Sequence, residues 1–305
     1  MRIAYLILAH DDPAHLARLV RALSHGEDRC FIHLDAKASV DRFAASKMES
    51  AEFIAPRVAV HWGDFSQVQA MHALLSAAFA AEPMFDYFAL LSGADYPLQP
   101  AWYINDYMRR RAGAEFMSAV KIPCEEIQKS LSRLERYQCR PTAGLAHRAT
   151  LRLQVALGLR SATRAWKPVF GELQPFGGSA WWALSRGAVR HVLRFFVERP
   201  EVISFYENVR CGDESLFHTI ILNSPFGANV SRNLTYADWS HGGRRPSRLT
   251  DKHVTRFESQ PRVMLKNIYG SGEALFARKL SDADGPLVDR LDRMIARRDP
   301  ATSSA

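Results

Sequence analysis

Ile3-Ala4-Tyr5-Leu6-Ile7-Leu8-Ala9 runs directly into His10-Asp11-Asp12-Pro13. An unbroken apolar run bounded by polar residues predicts a strand covered on both faces. Asp12 is placed to cap a helix, and Pro13 suits the first helical position. Leu16, Leu19, Val20 and Leu23 follow at helical spacing. Working outward, residues 30–34 read as a second strand that enters Asp35-Ala36-Lys37, and residues 58–62 as a short third strand. Residues 66–81 read as a helix with Val68, Met71, Leu74, Leu75 and Ala78 on one face. Residues 87–91 read as a fourth strand that ends in Ser92-Gly93-Ala94-Asp95-Tyr96-Pro97. This alternation predicts an α/β fold, a doubly wound and mostly parallel sheet flanked by helices. Ligands of such sheets collect at the carboxyl ends of the strands. His10, Asp11, Asp35, Lys37, Ser92 and Asp95 are the polar groups there.

The middle of the chain, about residues 120–175, is basic and irregular, with a helical stretch near 145–159. In Pro175-Phe176-Gly177-Gly178-Ser179-Ala180-Trp181-Trp182, the glycine pair marks a turn or a close backbone approach and the aromatics mark a strand. Residues 186–196 read as a helix. Cys211-Gly212-Asp213-Glu214-Ser215 precedes a helix at 216–222, whose acidic start suits the helix dipole. Residues 274–280 read as a short strand, and a final helix begins near Gly285. No long linker, repeat or low-complexity run interrupts this order. The expectation is one domain over residues 1–280, with a C-terminal helix and disordered tail over 281–305.

Of the 305 residues, 47% are hydrophobic and 24% charged, an ordinary globular composition. The opening apolar run is too short for a leader and no small-residue cleavage pattern follows. No run approaches the roughly 20 apolar residues of a membrane span. The reading is a soluble, cytoplasmic chain. Cys30, Cys124, Cys139 and Cys211 are widely spaced, without a C-x-x-C pair, and read as idle thiols. The net charge of +8 fits nucleic acid, an anionic membrane surface or a phosphorylated small molecule. Arg109-Arg110-Arg111 and Arg297-Arg298 read as solvated faces; Arg244-Arg245 with Arg248 is the third cluster. Aromatics do not interleave with these runs and no nucleic-acid motif is present, which sets a basic nucleic-acid-binding protein behind an enzyme. A two-carboxylate glycosidase and a non-catalytic carbohydrate-binding protein are the other rivals.

Several segments together resemble one family. They are residues 4–10, Phe31-Ile32-His33-Leu34-Asp35, Trp62-Gly63-Asp64-Phe65-Ser66, residues 90–97, Gly178-Ser179-Ala180-Trp181-Trp182, Asp213-Glu214-Ser215-Leu216-Phe217, Asp238-Trp239-Ser240 and Leu275-Phe276-Ala277-Arg278-Lys279. In this order they are similar to the core-2/I-branching β-1,6-N-acetylglucosaminyltransferases and peptide O-xylosyltransferases, glycosyltransferase family 14. The resemblance implies a GT-A-like fold, a UDP-sugar donor carrying N-acetylglucosamine or xylose, inversion at the anomeric carbon, and no metal or other cofactor.

An inverting transfer needs a base within reach of the acceptor hydroxyl. The resemblance gives that role to Glu214; the residues alone favour both acids merely serving the helix start, and Asp213 is read as its cap. A metal-free transfer stabilises the leaving diphosphate with fixed cations. Lys279 matches the family's diphosphate-binding lysine. Strand alternation argues that only one of Arg278 and Lys279 reaches the phosphates. Arg245 sits where the family places a basic phosphate ligand, with Arg244 or Arg248 as alternatives. Asp282-Ala283-Asp284 has the letters of a metal-binding motif but lies after the last strand, and reads as surface. By resemblance Asp35 and Asp95 bind the nucleoside; His10 reads equally as a group beside the base or as a satisfied histidine at a strand end. Trp181, Trp182 and Trp239 are candidates for the acceptor sugar, one of the adjacent pair being core; Trp62 and Phe65 read as structural. The Ala- and Arg-rich composition suggests a bacterial source, hence a glycan or glycolipid acceptor. It also suggests peripheral contact of the basic C-terminal helix with an anionic inner membrane.

Overall fold

The structure is a computed structural model. It describes residues 1–300 except 45, 47, 49, 139, 141–144, 158–160, 162 and 243–244, and excludes the side chains of 145–148, 151 and 152. Its strands are β1 (Ile3–Ala9), β2 (Arg29–Leu34), β3 (Ala51–Phe53), β4 (Tyr87–Ser92), β5 (Asp95–Pro97), β6 (Glu115–Lys121), β7 (Phe176–Ser185), β8 (Val230–Ser231), β9 (Thr235–Ala237), β10 (Val263–Asn267), β11 (Gly270–Ala274) and β12 (Phe276–Arg278).

Seven strands form the central sheet in the order β3-β2-β1-β4-β7-β6-β8. β3, β2, β1 and β4 are parallel, with Leu6 beside both Phe31 and Leu90. β7 runs antiparallel between β4 and β6, and β8 is parallel to β6. The architecture is therefore the GT-A-like, mostly parallel α/β sheet expected. β1 shows why its sequence carries no polar alternation. Ile3, Tyr5, Ile7 and Ala9 join a core that contains Leu16, Leu19, Val20 and Leu23. Ala4 and Leu6 face the opposite core, with Val68, Met71, Leu74 and Leu75 from the helix Ser66–Ala80. Side chains alternate along a strand, so a strand between two helical layers must be apolar at every position.

Two smaller sheets complete the molecule. β12 pairs antiparallel with β5, placing Arg278 opposite Asp95, and parallel with β9. β10 and β11 form a hairpin. The C-terminal helix Gly285–Arg298 buries Val288, Leu291 and Met294 in the same core as β1. At roughly 1.5–3 kcal/mol per buried apolar side chain, that helix is a substantial part of the fold. The expected tail, residues 301–305, lies outside the described residues, as do Cys139 and Arg244. No helix among the described residues is long and apolar enough to cross a membrane.

Three local expectations are corrected. Residues 58–62 form no strand; the third strand is Ala51–Phe53. The Val58 N–H donates instead to His33 Nε2 at 2.9 Å and the Val58 carbonyl accepts from the Ala36 N–H at 3.0 Å, so this segment closes the end of β2. Asp12 sits at the helix start in a left-handed conformation and makes no cap bond. The His15 N–H, in the first turn, goes to Asp282 Oδ1 at 2.7 Å, while Asp12 Oδ1 accepts from the Asp282 N–H at 3.2 Å. Residues 274–280 are not one strand. At Leu275 the chain leaves β11 and enters β12, its N–H going to the Leu234 carbonyl and its carbonyl taking the Leu98 N–H, each at 2.8 Å. The helix Leu145–Ala156 falls where a helical stretch is expected, though residue 159 lies outside the described residues.

Candidate active site

The register of β5 on β12 brings Asp95 and Arg278 together. Asp95 is fully buried; its Oδ2 accepts from the Ser92 N–H at 3.0 Å, and its Oδ1 lies 3.4 Å from Arg278 Nε. The Arg278 guanidinium stacks on Trp181 with Cζ 4.1 Å from the ring centroid. Asp95 Oδ1 and Arg278 Nε and Nη1 are buried without a hydrogen-bond partner among the described residues. Native proteins leave few such groups unmade, because each forfeits its hydration without replacement. Burial pushes the Asp95 carboxyl up, opposed by Arg278, the Ser92 N–H and Lys279. Burial lowers the half-buried Lys279, and so do the charges of Arg278 and Arg245, with Asp95 opposing. Arg278 and Lys279 thus both act on one carboxylate, and Arg245 lies within the field of Lys279. β12 ends at Arg278, so Lys279 lies outside the strand whose alternation would set the two side chains on opposite faces. Of the alternative arginines, Arg248 is bound to Ser281 Oγ and to Asp284 Oδ2, the latter at 2.6 Å. Arg245 is exposed and has no ion pair among the described residues.

Glu214 closes a single 3-10 turn, Gly212–Glu214, just before the helix Leu216–Leu222. Cys211 enters that turn at φ 53°, a left-handed conformation, with its N–H on the Gly63 carbonyl at 3.0 Å. The Gly63-Asp64 loop is fixed in turn. Buried Asp64 receives two bonds from Arg140, at 3.1 and 3.2 Å, and the Ser66 N–H at 3.3 Å. β7 supports the turn from the other side. A Cβ on Gly177 would lie 3.0 Å from the Glu214 carbonyl oxygen, and one on Gly178 would lie 1.7 Å from that of Ser118. The glycine pair is a close approach of backbones inside a strand rather than a turn.

Glu214 Oε2 accepts from Lys129 Nζ at 2.6 Å and from Arg133 Nη1 at 2.9 Å. Its Oε1 accepts no hydrogen bond among the described residues. Burial works to raise the Glu214 pKa, but the charge and hydrogen bond of Lys129, then those of Arg133, outweigh it, and the group is held below its ordinary value. Asp213 moves the other way, raised first by burial and then by the Glu214 charge. It does not cap the helix as expected; Ser215 occupies the N-cap and makes no cap bond, its hydroxyl donating to the Phe176 carbonyl. Buried His218 bonds the Ser179 carbonyl at 2.8 Å and is lowered to about 3 by burial and then by Lys129, so it is neutral. The hairpin β10–β11 brings Tyr269 into the field of Glu214; burial first, then that carboxylate, pushes its phenol up to about 12.

The remaining expected residues fall as follows. Asp35 is buried at the end of β2, with Lys37 Nζ at 2.9 Å on Oδ2 and the Lys37 N–H at 2.9 Å on Oδ1. His10 is exposed after β1, beside Asp11, which pairs with Arg42 at 2.9 Å. Trp182 is 2% exposed and packs against Phe217, so it is the core member of the tryptophan pair; Trp181 is the member at the cations. Trp239 is 53% exposed, next to Asp238, whose carboxylate takes the Ser240 N–H and His253. Trp62, expected to be structural, is 51% exposed under Arg210, whereas Phe65 is buried. Both acids of Asp282-Ala283-Asp284 serve structure: Asp282 receives the His15 N–H, and Asp284 caps its own turn and holds Arg248. Among the described residues no three His, Cys, Asp or Glu side chains converge as a metal site would require. Burial pushes the Cys30 thiol up to about 12 and that of Cys211 to about 11, which leaves both inert. Sequence reasoning missed Lys129, Arg133 and Tyr269, and it missed the stacking of Arg278 on Trp181.

The family model for core-2/I-branching enzymes matches residues 3–260, and the chain belongs to that family. Among curated proteins it is similar to the zebrafish (Danio rerio) β-1,3-galactosyl-O-glycosyl-glycoprotein β-1,6-N-acetylglucosaminyltransferase 4. The two are 26% identical over 196 residues, covering 63% of this chain and 43% of that protein. Xylosyltransferase 2 of the dog (Canis lupus familiaris) is 25% identical over 304 residues, 92% of this chain and 32% of that protein. The β-glucuronosyltransferase GlcAT14A of Arabidopsis thaliana is 30% identical over 128 residues, 41% of this chain and 26% of that protein. The chain therefore spans less than half the length of each of these relatives.

Proposed function

We propose that this chain is an inverting glycosyltransferase that moves a sugar from a UDP-sugar to an acceptor hydroxyl without a metal. The observation that carries this reading is the cluster of Arg278 and Lys279 at Asp95, with Arg245 in the field of Lys279, in which Arg278 Nε and Nη1 are buried and make no hydrogen bond among the described residues. Fixed cations with unmade hydrogen bonds suit a diphosphate, whose charge grows as it leaves. Asp35 follows β2 and Asp95 follows β4, the two strands that flank β1, at the carboxyl end of the sheet where the nucleoside of a doubly wound fold belongs. The family membership and the transferase names of its relatives point the same way.

In this reading the acceptor oxygen attacks the anomeric carbon as the bond from that carbon to the phosphate oxygen breaks. The hydroxyl proton passes to Glu214 Oε1, and the electron pair leaves with the diphosphate toward Lys279, Arg278 and Arg245. Glu214 is suited to its part because it is ionised and held through Oε2 alone. β7 links the two halves: Gly177 abuts Glu214, and Trp181, four residues on in the irregular stretch of the β6–β7 register, carries Arg278. The donor is a UDP-linked N-acetylglucosamine or xylose and the acceptor a bacterial glycan or glycolipid, on the cytoplasmic side of the membrane.

A screen of UDP-sugars for transfer and hydrolysis, with Glu214→Gln alongside, tests this. Loss of a general base lowers turnover by about 10²–10⁴-fold, and UDP affinity is expected to be unchanged. Near-normal turnover by Glu214→Gln, or no response to any UDP-sugar, contradicts the proposal.

A further inference from the structure

The basic middle of the chain is left over by the chemistry above. Across residues 136–171, 36 positions, seven are Arg or Lys and none is Asp or Glu. The two ends of this segment are pinned together beside the site. The Arg164 N–H reaches the Glu135 carbonyl at 2.7 Å, and Arg136 pairs with Thr163 in an isolated antiparallel bridge. The Arg164 side chain bonds the carbonyls of Leu134 and Phe205 at 3.1 and 2.9 Å. Arg133, on Glu214, lies just ahead of that anchor. The helix Leu145–Ala156 is carried out between the pinned ends, with Arg148 and Arg152 among its residues. Leu153 is 58% exposed and Leu157 62% exposed, one helical turn apart, with Val155 at 38%.

Exposed leucines within an all-cationic segment specify their partner by chemistry. A second copy of the same segment repels itself, since every charge on it has one sign. A nucleic acid satisfies the arginines but gains nothing from two leucines. An anionic bilayer satisfies both, with phosphates for the cations and the headgroup–acyl boundary for the apolar side chains. We infer that the helix Leu145–Ala156, with the turn residue that follows it, docks this protein on an anionic lipid surface through Leu153 and Leu157. If the transferase reading also holds, the acceptor is a lipid-carried glycan presented at that surface.

The C-terminal helix is a poorer candidate. Arg298 bonds the carbonyls of Leu98, Phe257 and Gln260, each at 2.6 Å, Arg290 pairs with Asp251 and Glu258, and Asp289 and Asp292 both hold Arg18.

Co-sedimentation of the full chain with phosphatidylcholine vesicles, with and without phosphatidylglycerol, tests the inference. The expected result is binding that needs the anionic lipid and weakens in salt. Leu153→Glu with Leu157→Glu lowers partitioning at least about tenfold, as two apolar contacts are lost and two like-sign repulsions gained. Because both leucines are exposed, the melting temperature and UDP affinity of this variant stay at the wild-type values. Arg293→Glu with Arg297→Glu leaves partitioning unchanged. Absence of vesicle binding, wild-type partitioning by the leucine variant, or loss confined to the C-terminal pair overturns the inference. So does an oligonucleotide that binds both wild type and leucine variant and displaces the vesicles. None of these readouts involves sugar transfer, so they fail or succeed independently of the transferase reading.

Discussion

Replacing Lys129 by Met removes the cation nearest to Glu214 while keeping the aliphatic stem that lies against Gly177. Two unit charges 2.6 Å apart attract by about 6 kcal/mol at an effective dielectric constant of about 20. Most of that does not appear as a pKa change, because the lysine side chain is itself only 8% exposed and loses hydration to be there. Arg133 also remains, at 2.9 Å. Lys129 is the larger of the two influences that hold the carboxyl down, so its loss raises the Glu214 pKa. The sign follows from the present state. Glu214 is held below its ordinary value, so wild-type activity persists to acid pH and falls only as pH drops through that lowered pKa. In Lys129→Met the acid limb of kcat/KM, which reports the free enzyme's base, moves to higher pH. Arg133→Met moves it less, since Arg133 is the more solvated partner, 33% exposed. Steady-state rates across the acid range, with circular dichroism as a check on folding, measure the shift. An acid limb that stays in place in Lys129→Met refutes the assignment of that limb to Glu214.

Gly178→Ala places a Cβ 1.7 Å from the Ser118 carbonyl oxygen. With backbone on both sides the clash has no flexible end to yield, so the variant is expected to lose more than about 3 kcal/mol or fail to fold, read by thermal melting. Asp64→Ala removes both Arg140 bonds and the Ser66 bond from the loop that braces the Glu214 turn. The expected cost is about 2–3 kcal/mol near neutral pH, with a fall in kcat. The Asp64 pKa is lowered in the fold: burial raises it, but its bonds to Arg140 and Ser66 and the Arg140 charge outweigh that. Its stabilisation is therefore present above the unfolded carboxyl pKa and lost as pH falls through the folded one, so the gap between wild type and Asp64→Ala closes in acid. A gap independent of pH refutes the ion-pair account.

The parallel half of the fold is legible because its signals are local. β1, the helix Pro13–Leu23 and the helix Ser66–Ala80 each carry their burial pattern within a dozen or so residues. Period-two alternation likewise says that one of Trp181 and Trp182 is core, but which one depends on Phe217 and Arg278, which a local pattern does not contain. The errors arise where partners are distant in sequence. The first turn of the helix Pro13–Leu23 takes its cap from Asp282, so Asp12 looks like a cap and is not. Glu214 is recognisable in its motif, but Lys129 and Arg133 lie 85 and 81 residues before it, in a basic stretch with no periodic signal. Residues 58–62 read as a strand by apolar content, yet the Val58 N–H is claimed by a histidine side chain. The sheet β5-β12-β9 is built of three-residue strands, too short to show a period.

The central claim is that fixed cations, and no metal, hold the leaving diphosphate. Calorimetric titration of UDP into wild type and Lys279→Ala, each in EDTA, tests it most directly. Wild type is predicted to bind in EDTA with the affinity it shows when manganese is added instead. Lys279→Ala is predicted to lose about 10- to 100-fold, the worth of one charge-assisted hydrogen bond. UDP binding that vanishes in EDTA and returns with manganese, or that survives Lys279→Ala undiminished, contradicts the account.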